Sequence, residues 1–471
     1  MSPYDFENRA HAVDVVIIGG GIVGCAVARK MALAGMRTVL MEKGSDILSG
    51  ASKANSAILH TGFDAPAKSL ELELVQKGRQ EYLDIKESLG LSVVKTSALV
   101  CAWNKDEADK LPYLYQKGID NGVAELEVLN AKQARQIAPH LSDKLCGALH
   151  VKHEDIIDPW TAPLAYLTQA VKIGATFLRN TELVKGTFED GIWQLQTNNG
   201  TYYSRAVINA AGLFGDIVDE RLGFEREFTI KPRKGQFIVL DKVATQYVNC
   251  IILPVPNEIT KGIVVCPTAF GNVLVGPTAE EQEDRTRATV VHDTLEMLKA
   301  KGTEIVPALA NIDITAVYAG LRPGSDDKAY RVFARPDRHC VTLGGIRSTG
   351  LSASLGLAQH AVKLLMSFAG FSEKPVPAPT IKMPNLTEIY ERDWQRDDHG
   401  EIVCHCEMVT RREIEATFDT PVPPGDFGGL KRRTRACMGR CQSFYCNSEV
   451  AQIIGDRFSA ALTVNTGKTD K

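Results

Sequence analysis

Three groups of residues in this sequence have types and spacing suited to chemistry. The first is Gly19-Gly20-Gly21-Ile22-Val23-Gly24, which fits G-x-G-x-x-G, with Glu42 further on. An apolar run precedes the glycines, a helically spaced stretch follows, and Glu42 closes a second apolar run; in that context the motif binds a dinucleotide. Gly19 permits the tight turn and Gly21 lets backbone N–H groups approach a pyrophosphate at the helix N-terminus. Gly24 allows close helix–strand packing, and Glu42 suits the two hydroxyls of an unphosphorylated adenosine ribose. A glycine-rich turn without a ligand is the competing reading, and the full spacing weighs against it.

The second group surrounds His60, in Asn55-Ser56-Ala57-Ile58-Leu59-His60-Thr61-Gly62. Imidazole titrates near working pH and can take the proton of an alcohol. The alternative is a histidine used for packing or capping. The third group is Cys404-His405-Cys406, then Cys441 and Cys446 after 34 intervening residues, with Cys437 between. Four thiolates are the usual complement of a [2Fe–2S] cluster. Zinc is the metal alternative, but zinc sites favour C-x2-C knuckles. His405, between two of the thiols, reads as solvated or as a neighbour of the ligands, not as a ligand. The other cysteines, Cys25, Cys101, Cys146, Cys250, Cys266 and Cys340, are scattered singly and read as small buried apolar residues.

The elements that must position these residues follow from hydrophobic patterning. A strand at 13–19, a helix at 22–34 and a strand at 37–41 make a βαβ start. A mixed region with two helical stretches covers 91–152, and a helix covers 161–173. Several strands occupy 176–208, turning at Asp190-Gly191 and Asn199-Gly200. Residues 228–277 are strand-rich. A strand at 341–345 leads through a Gly/Ser/Thr loop into a helix at 353–369. The segment 374–384 carries four prolines and reads as a semi-rigid linker to a small C-terminal unit.

Several of these segments resemble the flavoprotein family of D-amino-acid oxidase, sarcosine oxidase and the FAD-linked glycerol-3-phosphate dehydrogenases. Gly50-Ala51-Ser52 with Asn55 resembles the segment that wraps the pyrophosphate and flavin. Val207-Ile208-Asn209-Ala210-Ala211-Gly212 resembles the strand and turn returning under the cofactor. Gly344-Gly345-Ile346-Arg347-Ser348-Thr349-Gly350-Leu351 resembles the last flavin-contacting loop, whose helix N-terminus would favour anionic reduced flavin. The resemblance spans about residues 13–370. It implies FAD as cofactor, held by Gly19, Gly21, Ile22, Gly24, Glu42, Lys43, Ser52, Asn55, Val184, Gly212, Gly345, Gly350 and Leu351. The His60 motif is most similar to the glycerol-3-phosphate oxidase and L-2-hydroxyglutarate dehydrogenase branches. That similarity implies His60 as base, with Ser56, Lys261, Arg322 and Ser348 on the substrate side. Two cations suit a small anionic alcohol, carboxylate or phosphate alike. Lys261 in its glycine-flanked turn also reads as solvated, and Arg322 before proline as structural.

Residues 403–447, with Lys431-Arg432-Arg433-Thr434-Arg435-Ala436-Cys437-Met438-Gly439-Arg440-Cys441-Gln442 at their centre, resemble the bacterioferritin-associated ferredoxin type of domain. That domain is fused to the catalytic subunit of anaerobic glycerol-3-phosphate dehydrogenases. The resemblance implies Cys404, Cys406, Cys441 and Cys446 as cluster ligands and ranks sn-glycerol 3-phosphate first among substrates. Cys437 departs from the pattern, which has glycine there. The five basic residues from Lys431 to Arg440 read either as a solvated face or as a way to offset cluster charge or dock an electron partner.

The expected fold class is α/β. A Rossmann-like FAD-binding domain of the glutathione-reductase-like class takes 1–85, 156–223 and 326–370. A β-rich α+β substrate domain takes 86–155 and 224–325. A linker (371–398), a small helical [2Fe–2S] domain (399–457) and a tail (458–471) follow. The chain of 471 residues is 44% hydrophobic and 24% charged with a net charge of −3, which gives no support for a nucleic-acid partner. No secretory leader is apparent in the polar first twelve residues, and no apolar run reaches the roughly 18 residues of a spanning helix. The expected location is the cytoplasm, with any contact at the inner face of the membrane made through a partner. The expected partners are the substrate and an electron-acceptor protein. The rival readings are an L-2-hydroxyacid dehydrogenase, an amine, opine or sarcosine-type dehydrogenase, and a non-catalytic electron-transfer subunit.

Overall fold

The structure is a computed structural model that describes residues 8–256 and 262–458. Strand β1 (Val13–Ile18) is buried at nearly every position and runs parallel to β2 (Thr38–Met41) on one side and to Gly200–Asn209 on the other. A parallel strand covered on both faces needs such an unbroken apolar run. The sheet continues outward from Gly200–Asn209 to Ile192–Thr197 and Leu183–Glu189, and from β2 to Thr176–Leu178. Cys340–Gly344 joins alongside 207–209 in parallel and carries Arg331–Arg335 on its outer side.

Helix α1 (Ile22–Leu33) connects β1 to β2 and packs against the helices Thr161–Lys172 and Gly350–Phe368. Helix α2 (Leu70–Leu89) starts where the Ser69 hydroxyl accepts from the Leu72 N–H and ends at Gly90, with φ of 67°. It lies on Gly350–Phe368 at close range. A Cβ at Gly78 would overlap the carbonyl of Ser352, and one at Gly356 the carbonyl of Leu74.

A second, nine-stranded sheet forms the other wall of the molecule. Its strands all fall within 98–151 and 230–325. The long strand Ile230–Leu240 pairs along its length with Ile314–Ser325, and only Ile251–Pro254 beside Ala98–Ala102 is parallel. A three-stranded sheet of Ile58–Leu59, Asp155–Ile157 and Val93–Val94 lies outside both large sheets, and its first strand leads directly into His60.

Three expectations need correction. The proline-rich segment is an ordered strap rather than a spacer: the N–H groups of Lys374 and Val376 bond to Ala34 and Leu33, and those of Ile381 and Met383 to Ser88 and Leu89. Prolines hold it extended, and the N–H groups of the residues between them remain free to bond with the helix ends beneath. The C-terminal unit is not purely helical: a hairpin of Ile402–Cys404 and Val409–Thr410 precedes the helices Arg411–Ala416, Phe427–Thr434 and Asn447–Ile454. Of the six scattered cysteines, five are buried but Cys146 is exposed.

The C-terminal unit is docked on the loop after β2. The guanidinium of Arg433 grips the Asp46 carboxylate with bonds of 2.6 and 2.9 Å, and both side chains are buried. Gly425 donates its N–H to Asp46, and a Cβ at Gly429 would overlap that carboxylate.

Candidate active site and thiol cluster

A cavity of about 1290 Å³ opens between the two large sheets. That exceeds the roughly 300–1,000 Å³ of a pocket for one small ligand and leaves room for a dinucleotide with a substrate beside it. Two helix N-termini face it. At α1, the N-cap Gly21 has no side chain to cap the helix, and the Ile22 N–H donates to the Ser52 hydroxyl at 3.1 Å. At Gly350–Phe368, the N-cap Thr349 turns its hydroxyl away to Glu71 and Tyr330, leaving the N-terminal amides uncapped by it. Such ends favour a pyrophosphate and an electron-rich ring.

Gly19 and Gly21 of the glycine motif line the cavity. Gly19 holds φ at 112°, and a Cβ there would sit 2.6 Å from the Ala210 carbonyl oxygen. Gly24 lies behind the cavity wall, where a Cβ would overlap the Gly19 carbonyl, so its part is packing. Glu42 accepts the N–H groups of Gly20 and Gly44, each at 2.7 Å, and borders the cavity. Lys43 stands 3.1 Å from the centre of the Phe214 ring, and burial pulls its pKa below the usual lysine value. Ile22, Ser52, Asn55, Gly212, Gly350 and Leu351 also line the cavity. Gly345, with φ of 63°, shapes the turn without lining it. Val184 is not among the cavity-lining residues: it sits exposed at an irregularity of its strand, between Leu183 and Lys185, and Glu182 and Leu183 border the space instead.

His60 lines the cavity with its ring fixed from behind. Its Nδ1 lies 2.9 Å from Oε2 of Glu154, and its backbone N–H donates to Ser352. Glu154 is fully buried, and its other oxygen accepts both the N–H and the hydroxyl of Thr61. A carboxylate so placed accepts from Nδ1–H and leaves Nε2 as the proton acceptor, a tautomer assigned from these bonds. Glu154 carried no signal in the sequence. It sits 94 positions from His60, in no motif, just before an apolar strand.

Arg322 lies in the cavity wall on the strand Ile314–Ser325, opposite Arg233. Its guanidinium donates to the carbonyls of Thr278 (2.7 Å) and Lys234 (3.3 Å), and among the described residues no carboxylate is at ion-pair distance. Burial, with the Arg233 charge adding to it, pulls its pKa down to about 10. A buried cation in that position favours an anion arriving in the cavity. Ser56 and Ser348 border the same space. Lys261 lies outside the described residues.

The five C-terminal thiols gather in one place. Cys404 is paired with Cys446 and Cys406 with Cys441, while Cys437 Sγ is 3.4 Å from Cys446 Sγ. Among the described residues no three metal-binding side chains converge as a single ion would need. Two thiol pairs instead suit a cluster with two irons. Backbone N–H groups are aimed at the sulfurs. Those of Tyr445, Ser443 and Phe444 pull the Cys441 thiol below its ordinary pKa, and those of Cys437 and Glu407 oppose the burial that pushes Cys404 up to about 11. Donors of this kind stabilise thiolates and the added charge of a reduced cluster.

Residues 14–364 match the FAD dependent oxidoreductase family, and residues 402–456 match the BFD-like [2Fe-2S] binding domain. The chain is 32% identical to the glycerol 3-phosphate dehydrogenase of Caloramator mitchellensis, over 96% of this chain and 95% of that one. It is 25% identical to one of the subunits of the anaerobic glycerol-3-phosphate dehydrogenase of Escherichia coli K12, over 96% and 90%. Among solved structures, the dithionite-reduced L-α-glycerophosphate oxidase of Mycoplasma pneumoniae with FAD bound superposes with a TM-score of 0.73 at 27% identity, over 79% of this chain and 99% of that one.

Proposed function

The chain belongs to the FAD-dependent oxidoreductase family, and we propose that it oxidises sn-glycerol 3-phosphate to dihydroxyacetone phosphate as a dehydrogenase. Bound FAD supplies the two-electron hydride acceptor, and the [2Fe–2S] cluster supplies a one-electron exit toward a partner. The N-terminus of α1 and Glu42 hold the pyrophosphate and ribose, with Ser52 and Asn55 beside them. The N-terminus of Gly350–Phe368, which borders the same cavity, would favour the electron-rich reduced ring of a bound flavin. His60 takes the substrate hydroxyl proton at Nε2 as the hydride leaves carbon. Glu154 keeps the ring in the tautomer that can do so. Arg322 binds the phosphate, with Lys261 as a second cation, and Ser56 and Ser348 give polar contacts to the substrate. Cys404, Cys406, Cys441 and Cys446 hold the cluster.

The observation that carries this reading is one cavity holding both an oriented base, His60 on Glu154, and a buried arginine without a carboxylate partner among the described residues. A base poised for a hydroxyl proton favours an alcohol over an amine. Acceptor use is supported by the cluster domain, which gives reduced enzyme a route other than oxygen. The acceptor is then a partner protein. No helix among the described residues is long and apolar enough to cross a membrane, and the proposed location is the cytoplasm, with membrane contact through that partner.

The test is anaerobic bleaching of the bound flavin by sn-glycerol 3-phosphate, L-2-hydroxyglutarate and N-methyl amino acids. Fast bleaching by the first alone is expected. Bleaching by another member of the panel, and not by glycerol 3-phosphate, would replace the substrate.

A further inference from the structure

The cluster domain holds one thiol more than a [2Fe–2S] cluster takes. Cys437 is 1% exposed, and its sulfur lies 3.4 Å from that of Cys446. Its backbone stands at φ of 65°, in the left-handed region that favours glycine over an L-residue. The side chain is part of the small core of this unit, beside Cys404 and Cys446. Such strain persists where the surroundings hold it, most often at functional sites. What the side chain adds is a second sulfur beside Cys446. Two thiolates on one tetrahedral metal lie roughly 3.8 Å apart when metal–sulfur bonds are about 2.3 Å. The observed spacing is close to that of two sulfurs able to reach the same metal ion.

We propose that Cys437 is an exchangeable ligand of the cluster, able to replace Cys446 on iron. In the exchange the iron–sulfur bond to Cys446 breaks and one to Cys437 forms. The Cys437 thiol proton passes to the released Cys446 sulfur, and no electron moves. Ligand number and net charge are unchanged, so the cluster survives loss or oxidation of Cys446. Cys406 interacts with Cys441 rather than with Cys437, and Cys404 accepts the Cys437 backbone N–H. The inference rests on the ligand set proposed above.

The experiment uses the full chain purified without oxygen. Iron and acid-labile sulfide per chain, visible circular dichroism, and electron paramagnetic resonance after dithionite reduction are the readouts. Bound flavin reports that each variant has folded. Wild type is expected to carry about two irons per chain. Cys446→Ala keeps its cluster with shifted resonance lines, Cys437→Ala keeps its cluster, and the double variant loses it. Cys441→Ala loses the cluster outright. Loss of the cluster in Cys446→Ala, as complete as in the double variant, overturns the exchange while leaving the ligand set intact. A wild-type chain without iron, or a Cys441→Ala chain that keeps it, overturns the ligand set instead. Should Cys446→Ala lose its flavin, Cys446→Ser decides. An all-thiolate spectrum that depends on Cys437 supports the exchange, and an oxygen-shifted spectrum indifferent to Cys437 refutes it.

Discussion

At the scale of single residues, the His60–Glu154 pair gives the sharpest predictions. Removing a general base costs about 10²–10⁴-fold, so His60→Ala should slow flavin bleaching by that order while keeping its FAD. Glu154→Gln should fall nearly as far, for a reason specific to this geometry. The Thr61 N–H and hydroxyl hold one oxygen of residue 154. In glutamine they would keep the amide oxygen, turning its NH₂ toward Nδ1 and forcing the proton onto Nε2. Glu154→Ala leaves the tautomer free, so it should bleach faster than Glu154→Gln; the reverse order would remove Glu154 from its orienting role. At Arg322, replacement by methionine removes a charge-assisted contact worth about 1.5–3 kcal/mol. KM should rise roughly ten- to a hundredfold, with flavin content unchanged. His60 and Arg322 were legible because each sits in a short segment of recognisable pattern. Glu154 was not, since its meaning exists only across a turn of the fold. Val184 stands exposed because its strand is irregular between Leu183 and Lys185, a departure that no residue pattern announces.

At the scale of elements, the glycines of the first turn separate two kinds of damage. A Cβ at Gly24 would overlap the Gly19 carbonyl and push α1 off β1. Gly24→Ala should therefore lose FAD and stability together, read as flavin-to-protein absorbance and a lowered denaturation midpoint. A Cβ at Gly21 would meet only the Ser52 hydroxyl, at 3.3 Å. Gly21→Ala should keep a stable apo fold and lose FAD affinity, because the methyl group occupies the space a pyrophosphate must enter. Equal destabilisation by both would remove this distinction. The β1–α1–β2 unit could be read from sequence because buried parallel strands and a capless glycine turn leave strong patterns. The hairpin at 402–410 could not: its second strand, Val409–Thr410, is two residues long and has no period to detect. The strap at 374–384 was hidden because its order comes from backbone bonds to Ala34, Leu33, Ser88 and Leu89, which composition does not encode.

At the scale of the whole molecule, the loop after β2 serves two sites at once. Its first residue is Glu42, it ends by presenting Ser52 to the turn of α1, and between them Asp46 holds Arg433 of the cluster domain. A second seam runs beside it: Arg435 lies 4.0 Å from the Phe270 ring centre, Phe270 stacks on Trp160 at 5.3 Å, and the Trp160 indole donates to the Lys53 carbonyl. The cofactor loop thus sets where the thiols stand relative to the cavity. Arg433→Met would leave the Asp46 carboxylate buried without its partner, a loss of about 3–5 kcal/mol for a broken buried pair. That energy falls on the joint between domains and not on the His60 end of the cavity. Stopped-flow mixing with substrate should show flavin bleaching near the wild-type rate, followed by slower reduction of the cluster. Adding Asp46→Asn removes the stranded charge and should restore part of the stability but less of the transfer rate, since the joint remains unlatched. Unchanged cluster reduction in Arg433→Met would mean that the other contacts across the joint, Arg435 on Phe270, Ser45 with Asp426 and Arg440 with Asp241, hold the domain without it.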